Sequence, residues 1–203
     1  MQRGVRLFGA AIIRIWARVR IEGEPDWDAL GVVILAPNHC SFADPVILQR
    51  ACGRHLTFLM TDAVHRIWWM RWFFNLWSAI PVPEAGPSSA ALKAALGALA
   101  EGRSVAIFPE GRISTDGRVQ SGRGGVGFLA RKAGVSVIPV AVLGSFTFLP
   151  KSARWPRRTT LVVRYGEPVA PPTADVENAA YARCIMDALV ALGAPPAAAQ
   201  QDE

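Results

Sequence analysis

A histidine at position 39 stands five residues ahead of an aspartate at position 44, within Asn-His-Cys-Ser-Phe-Ala-Asp-Pro at 38–45. An aspartate that accepts from one imidazole nitrogen fixes the tautomer and leaves the other nitrogen free to act as a base. On one continuous helix the two side chains would lie about 140° apart, so they cannot meet on a helix face. A turn can bring them together, if a strand ends at His39 and a helix starts with Asp44 as N-cap and Pro45 at the first helical position. The same residues also suit a simpler reading, in which Asp44 only caps a helix and His39 only fills a strand end.

A second cluster lies at 107–117, Ile-Phe-Pro-Glu-Gly-Arg-Ile-Ser-Thr-Asp-Gly. A buried strand that ends at Phe108 and breaks at Pro109 delivers Glu110, Gly111 and Arg112 to the carboxyl edge of a sheet. Open α/β folds bind their ligands at that edge. Glycine there lets backbone approach a ligand closely, and arginine can grip a phosphate through paired hydrogen bonds. Alone, the cluster could equally be a turn with a surface arginine.

Other patterns lack their partners. Gly-Arg-Gly-Gly-Val-Gly at 122–127 has dinucleotide-loop spacing, but it follows a polar loop and has no acidic residue about 20 positions later. It reads better as a glycine-rich loop that admits substrate. Cys40 adjoins His39, yet neighbouring strand residues point to opposite faces, which makes it a small buried hydrophobe. There is no Gly-x-Ser-x-Gly elbow. His55 and His65 have no spacing that builds a metal site with His39.

The positioning elements follow from periodicity. Residues 19–27 read as a short strand and turn, apolar runs at 31–39, 56–60, 104–111, 135–144 and 159–169 as strands, and segments 45–52, 86–102, 126–134 and 179–192 as helices. Their alternation predicts an α/β fold, a largely parallel mixed sheet flanked by helices. Residues 1–22 are expected to form a basic amphipathic helix at a membrane interface. Val5, Phe8, Ile12, Ile15, Trp16 and Val19 share one face of it, opposite Arg3, Arg6, Arg14, Arg18 and Arg20. Residues 23–192 would be the catalytic domain and 193–203 a disordered tail. The stretch 64–82 carries Trp68, Trp69, Trp72 and Trp77 among arginines, which suits either a core or a bilayer interface.

The 203 residues fit one domain. A net charge of +6 and a pI near 9.9 favour an anionic partner: nucleic acid, acidic lipid or a phosphorylated small molecule. Three cysteines with no Cys-x-x-Cys pair argue against a disulfide scaffold or structural zinc. No run of eighteen uncharged apolar residues predicts a spanning helix.

His39 to Asp44 resembles the HX4D motif of the glycerolipid acyltransferases, the 1-acylglycerol-3-phosphate acyltransferase family. Phe108-Pro109-Glu110-Gly111 resembles that family's FPEG block, and Ile138-Pro139-Val140 its fourth block, so the likeness covers roughly residues 30–145. It implies a lysophospholipid acyltransferase, an O-acyltransferase of phospholipid biosynthesis. His39 would deprotonate the acceptor hydroxyl, Asp44 would orient it, and the donor would be an acyl thioester on coenzyme A or acyl carrier protein. No bound cofactor or metal is implied. Phe108, Pro109, Glu110, Gly111, Arg112 and Ser114 would hold the acceptor. The second block puts Glu84 where the family usually has arginine. Together with Phe-Pro-Glu-Gly-Arg, that is closest to the lysophosphatidylethanolamine branch and suggests an amine-bearing headgroup.

The implied setting is peripheral or monotopic, on the cytoplasmic face of an anionic membrane. Arg154, Arg157 and Arg158 could dock a carrier protein. Phosphatidate formation and lyso-ornithine-lipid acylation stand as alternatives within the enzyme class. A non-catalytic membrane- or phosphate-binding module is the alternative outside it. Nucleic-acid binding has charge in its favour but no recognition motif.

Overall fold

In the computed structural model, residues 16–61, 79–82, 89–153 and 155–197 are described. In chain order the elements are β1 (Ala17–Glu22), α1 (Trp27–Leu30), β2 (Ile34–Pro37), α2 (Asp44–Ala51), β3 (Leu56–Thr61), β4 (Ile80–Val82), α3 (Ser89–Ala100), β5 (Ser104–Ala106), α4 (Gly125–Ala133), β6 (Val137–Leu143), α5 (Ser145–Phe148), β7 (Thr159–Tyr165) and α6 (Asn178–Ala191). They form one seven-stranded sheet in the order β1-β7-β6-β2-β5-β3-β4. Every pairing is parallel except that of β6 with β7.

Helices cover both faces, and the alternation of strand side chains divides the core between them. In β2 and the residue before it, Val33 and Leu35 join the cluster packed with α2, while Ile34 and Ala36 join the one packed with α3, α4 and α6. A strand buried on both sides has no polar face to show, which is why it reads as a continuous apolar run. The carboxyl ends of β2, β3, β5 and β6 lie along one edge, and β1 and β7 begin there.

Two expectations are corrected. The short strand expected at 19–27 is the edge strand Ala17–Glu22, paired with β7, so the helix expected over 1–22 cannot reach Glu22. Ala-Arg-Val-Arg-Ile-Glu alternates with period two, so Ala17 and Val19 rest on the core while Arg18 and Arg20 stay outside. Glu22 then pairs with Arg164 of β7 at 2.7 Å. The tail is docked as far as it is described. Ala194 is buried against Val119, Met186 and Leu189, and the Val119 amide donates to Pro195 at 2.8 Å. The remainder of the expected interfacial helix (1–15), most of the tryptophan-rich stretch (62–78), Glu84, Arg154 and residues 198–203 lie outside the described residues. Among those described, no helix is long and apolar enough to cross a membrane.

Candidate active site

The site begins where β2 runs out of backbone partners. Proline at 37 has no amide hydrogen to offer, and the next residue, Asn38, is 1% exposed. Its side chain completes the link to β6: Oδ1 accepts from the Val142 amide at 2.7 Å and Nδ2 donates to the Val142 carbonyl at 3.3 Å. His39 therefore leaves the sheet at a fixed point on the carboxyl edge.

A tight turn follows, organised by Asp44. Its Oδ2 accepts from the amides of Cys40 and Ser41, each at 2.7 Å, and lies 2.9 Å from His39 Nδ1. Asp44 is not the N-cap that the sequence suggested. The cap position is Ala43, and Asp44 opens α2 with Pro45 behind it. The carboxylate points back into the turn because two amides and an imidazole converge there. Ser41 fixes the turn further: its Oγ donates to the Leu149 carbonyl at 2.7 Å and accepts from the Ala43 amide at 3.0 Å.

A carboxylate oxygen that collects two N–H donors is an acceptor, so His39 Nδ1 carries the hydrogen towards it and Nε2 keeps the lone pair. The His39 side chain is 15% exposed and that of Asp44 is 0% exposed. The imidazole is thus partly open to solvent, while the carboxylate that orients it is shielded from water.

The second cluster clamps the first. The His39 amide donates to Glu110 Oε1 at 2.9 Å, the Ser114 amide donates to the His39 carbonyl at 2.7 Å, and the Phe108 ring stacks on the imidazole at 3.9 Å and 22°. These contacts redistribute the expected roles. Glu110 is buried, and burial pushes its carboxyl up to about 7, against the lowering influence of the His39 and Gln120 amides. It faces His39's backbone and offers a phosphate nothing. Phe108 and Pro109 are buried, and the Ser114 hydroxyl is used on Asp116 Oδ1 at 2.9 Å. Of the six expected acceptor residues in this loop, Gly111 and Arg112 are the exposed ones, and Arg112 Nε is hydrogen-bonded to Gln120 Oε1.

One residue was missed by the sequence reading. Gly111 has φ +69°, and a Cβ built on it would meet the Arg123 side chain at 3.0 Å. The Arg123 amide donates to the Pro109 carbonyl at 2.8 Å, which holds the glycine-rich loop against this turn. Two exposed guanidiniums, of Arg112 and Arg123, thus flank a bare stretch of backbone, and neither makes an ion pair among the described residues. The signal for Arg123 in the sequence is a single arginine among the glycines at 122–127, but spacing alone does not show that this loop folds against Gly111.

Cys40 has the environment of an inert thiol. Burial pushes it up to about 12, with the Asp44 charge adding to the effect, so it supplies no nucleophile. No group of His, Cys, Asp and Glu among the described residues could hold a metal. The arrangement sets an imidazole, oriented through Nδ1 by a buried carboxylate, beside a turn that carries two exposed guanidiniums.

A family profile described as "Acyltransferase" matches residues 18–143. The chloroplastic 1-acyl-sn-glycerol-3-phosphate acyltransferase of Arabidopsis thaliana is 30% identical over 158 residues, covering 71% of this chain and 44% of its own length. A chloroplastic protein of the same name from Brassica napus is 28% identical over 156 residues, 71% of this chain and 45% of its own. The chain therefore spans less than half the length of these relatives. The crystal structure of the 1-acyl-sn-glycerophosphate acyltransferase of Thermotoga maritima aligns with a TM-score of 0.76 over 94% of this chain and 78% of that one. At 21% identity, that likeness speaks for the fold.

Proposed function

This chain belongs to the acyltransferase family, and on that footing we propose that it transfers a fatty acyl group from a thioester to the free hydroxyl of a 1-acylglycerol phosphate. The observation that carries the reading is the 2.9 Å contact between His39 Nδ1 and the fully buried Asp44 carboxylate. His39 Nε2 takes the hydroxyl proton, and the oxygen attacks the thioester carbonyl to give a tetrahedral intermediate. Asp44 steadies the imidazolium formed meanwhile. The intermediate collapses by expelling the thiolate, which recovers the proton from His39. Coenzyme A and acyl carrier protein are both suitable donors, and the reaction asks for no bound cofactor or metal.

Arg112 and Arg123 hold the acceptor's phosphate on this reading. Two cations beside Gly111 suit a doubly charged phosphate monoester, and the relatives' names point the same way. Glu84, on which the amine-bearing headgroup rests, lies outside the described residues. The acceptor would be met at the membrane surface, with the protein peripheral on the cytoplasmic face.

Kinetics with 1-acylglycerol-3-phosphate test the acceptor assignment. Replacing Arg112 and Arg123 together by Ala should raise KM for this acceptor by at least about 10–100-fold, the scale of one charge-assisted hydrogen bond. KM for the thioester should hardly move. An acceptor KM within twofold of the parent value would overturn the assignment.

A further inference from the structure

The sheet edge that carries His39 also displays aromatic side chains that packing among the described residues does not explain. Trp155 is 78% exposed, Phe42 45% and Trp16 38%. Isolated exposed hydrophobics are ordinary, but these three share one edge by topology. Phe42 sits in the turn after β2, which runs parallel to β6. Because β7 is antiparallel to β6, the segment holding Trp155 ends at that edge as it enters β7. Strand β1 is parallel to β7, so Trp16, just before it, lies at the same edge.

These residues are held in place. Ser41 Oγ bonds the Leu149 carbonyl at 2.7 Å, joining the Phe42 turn to the start of the Trp155 segment. The Arg157 amide donates to the Phe148 carbonyl at 2.8 Å, and the Ala153 amide to the Pro150 carbonyl at 2.9 Å, so Trp155 is displayed on a loop closed on itself. The segment itself carries charge of one sign, with no aspartate or glutamate between Asp116 and Glu167, although Lys151 shares a surface cavity with Asp116 and Asp187. Lys151, Arg157 and Arg158 are exposed and make no ion pair among the described residues.

We propose that this edge docks on an anionic lipid bilayer, with Phe42 and Trp155 entering the headgroup layer while Lys151, Arg157 and Arg158 meet lipid phosphates. An indole has an apolar body and one polar N–H, which suits the boundary between headgroup and acyl chain. Cations beside it add attraction to an acidic surface. Docking this way opens the His39 turn onto the layer that holds a lipid acceptor, so the inference rests on the acyltransferase reading. It adds a membrane contact formed by the catalytic domain itself.

The test uses the full chain carrying Trp155→Cys in a Cys184→Ser background, since Cys40 and Cys52 are buried, with an environment-sensitive nitrobenzoxadiazole label on the new thiol. Emission should shift to the blue on vesicles of phosphatidylglycerol and phosphatidylethanolamine, and spin-labelled lipids should quench it. Exchanging Arg157 and Arg158 for Glu should weaken vesicle binding about tenfold. A label that stays in water while the protein sediments with vesicles would overturn the proposal. So would failure to sediment, an equal shift on phosphatidylcholine alone, or a shift produced only by acyl carrier protein. Acyl transfer to a detergent-dispersed acceptor, measured on the same protein, separates the two ideas. Transfer without a shift sinks the docking alone, and a shift without transfer sinks the enzymatic reading alone.

Discussion

The meeting of His39 with Asp44 was legible in the sequence, and the residues that hold the pair were not. A histidine five positions before an aspartate, with proline next, forces a turn, and that turn can bring the two side chains together. Direction was the hidden part. Asp44 looked like a helix cap because aspartate before proline usually is one, yet its carboxylate turns back to Cys40, Ser41 and His39. Asp44→Asn keeps the shape but replaces the charge that fixes the imidazole tautomer. It should lower kcat by about 10²–10⁴-fold, and a loss under threefold in steady-state assays would remove Asp44 from that role.

Glu110 was misread for a related reason: motif residues share a loop but not a direction, and only burial tells which of them meets a ligand. Its carboxyl, raised from 4.5 to about 7, binds a proton in the folded state over a range where the unfolded chain does not. Stability therefore falls as pH rises from about 4.5 to 7, by up to about 3 kcal/mol at 1.36 kcal/mol per pH unit. Glu110→Gln can still accept from the His39 amide through its side-chain oxygen. In urea titrations at several pH values it should lack the decline across this window, and an unchanged decline would count against a buried protonated Glu110.

At the level of elements, periodicity identified most strands and helices because a doubly buried strand and an amphipathic helix leave different marks. It gave two overlapping readings where two periods coincide. Ala17 to Glu22 fits a helix face and also alternates with period two, and the free edge of β7 decides for a strand. Strand β5 closes at Ala106, short of the apolar run, because the residues after it turn to wrap His39. Asn38 shows how an element end serves the site. Its side chain replaces the ladder partner that Pro37 cannot provide, and Asn38→Ala leaves the buried Val142 amide without an acceptor. That should cost about 1–3 kcal/mol and loosen the turn that carries His39. Chemical denaturation would show it, and a change under about 0.5 kcal/mol would mean the bond to Val142 is dispensable.

Across the whole molecule, the strand order gathers onto one edge what the sequence keeps far apart. Position 39 follows β2, positions 108–112 follow β5, and Arg123 lies before α4, yet all three reach the same turn. The α/β class was readable from alternating elements. The antiparallel β7 and the docking of residues 194–197 were not, because both depend on partners distant in the chain. The decisive measurement is transfer of radiolabelled palmitate from palmitoyl-coenzyme A and palmitoyl carrier protein to 1-palmitoylglycerol-3-phosphate, by the parent protein and by His39→Ala. The parent should form phosphatidate, and His39→Ala should lose about 10²–10⁴-fold in rate at an unchanged melting temperature. Transfer retained in His39→Ala, or absent from the folded parent with both donors, would contradict a His39-based acyltransferase.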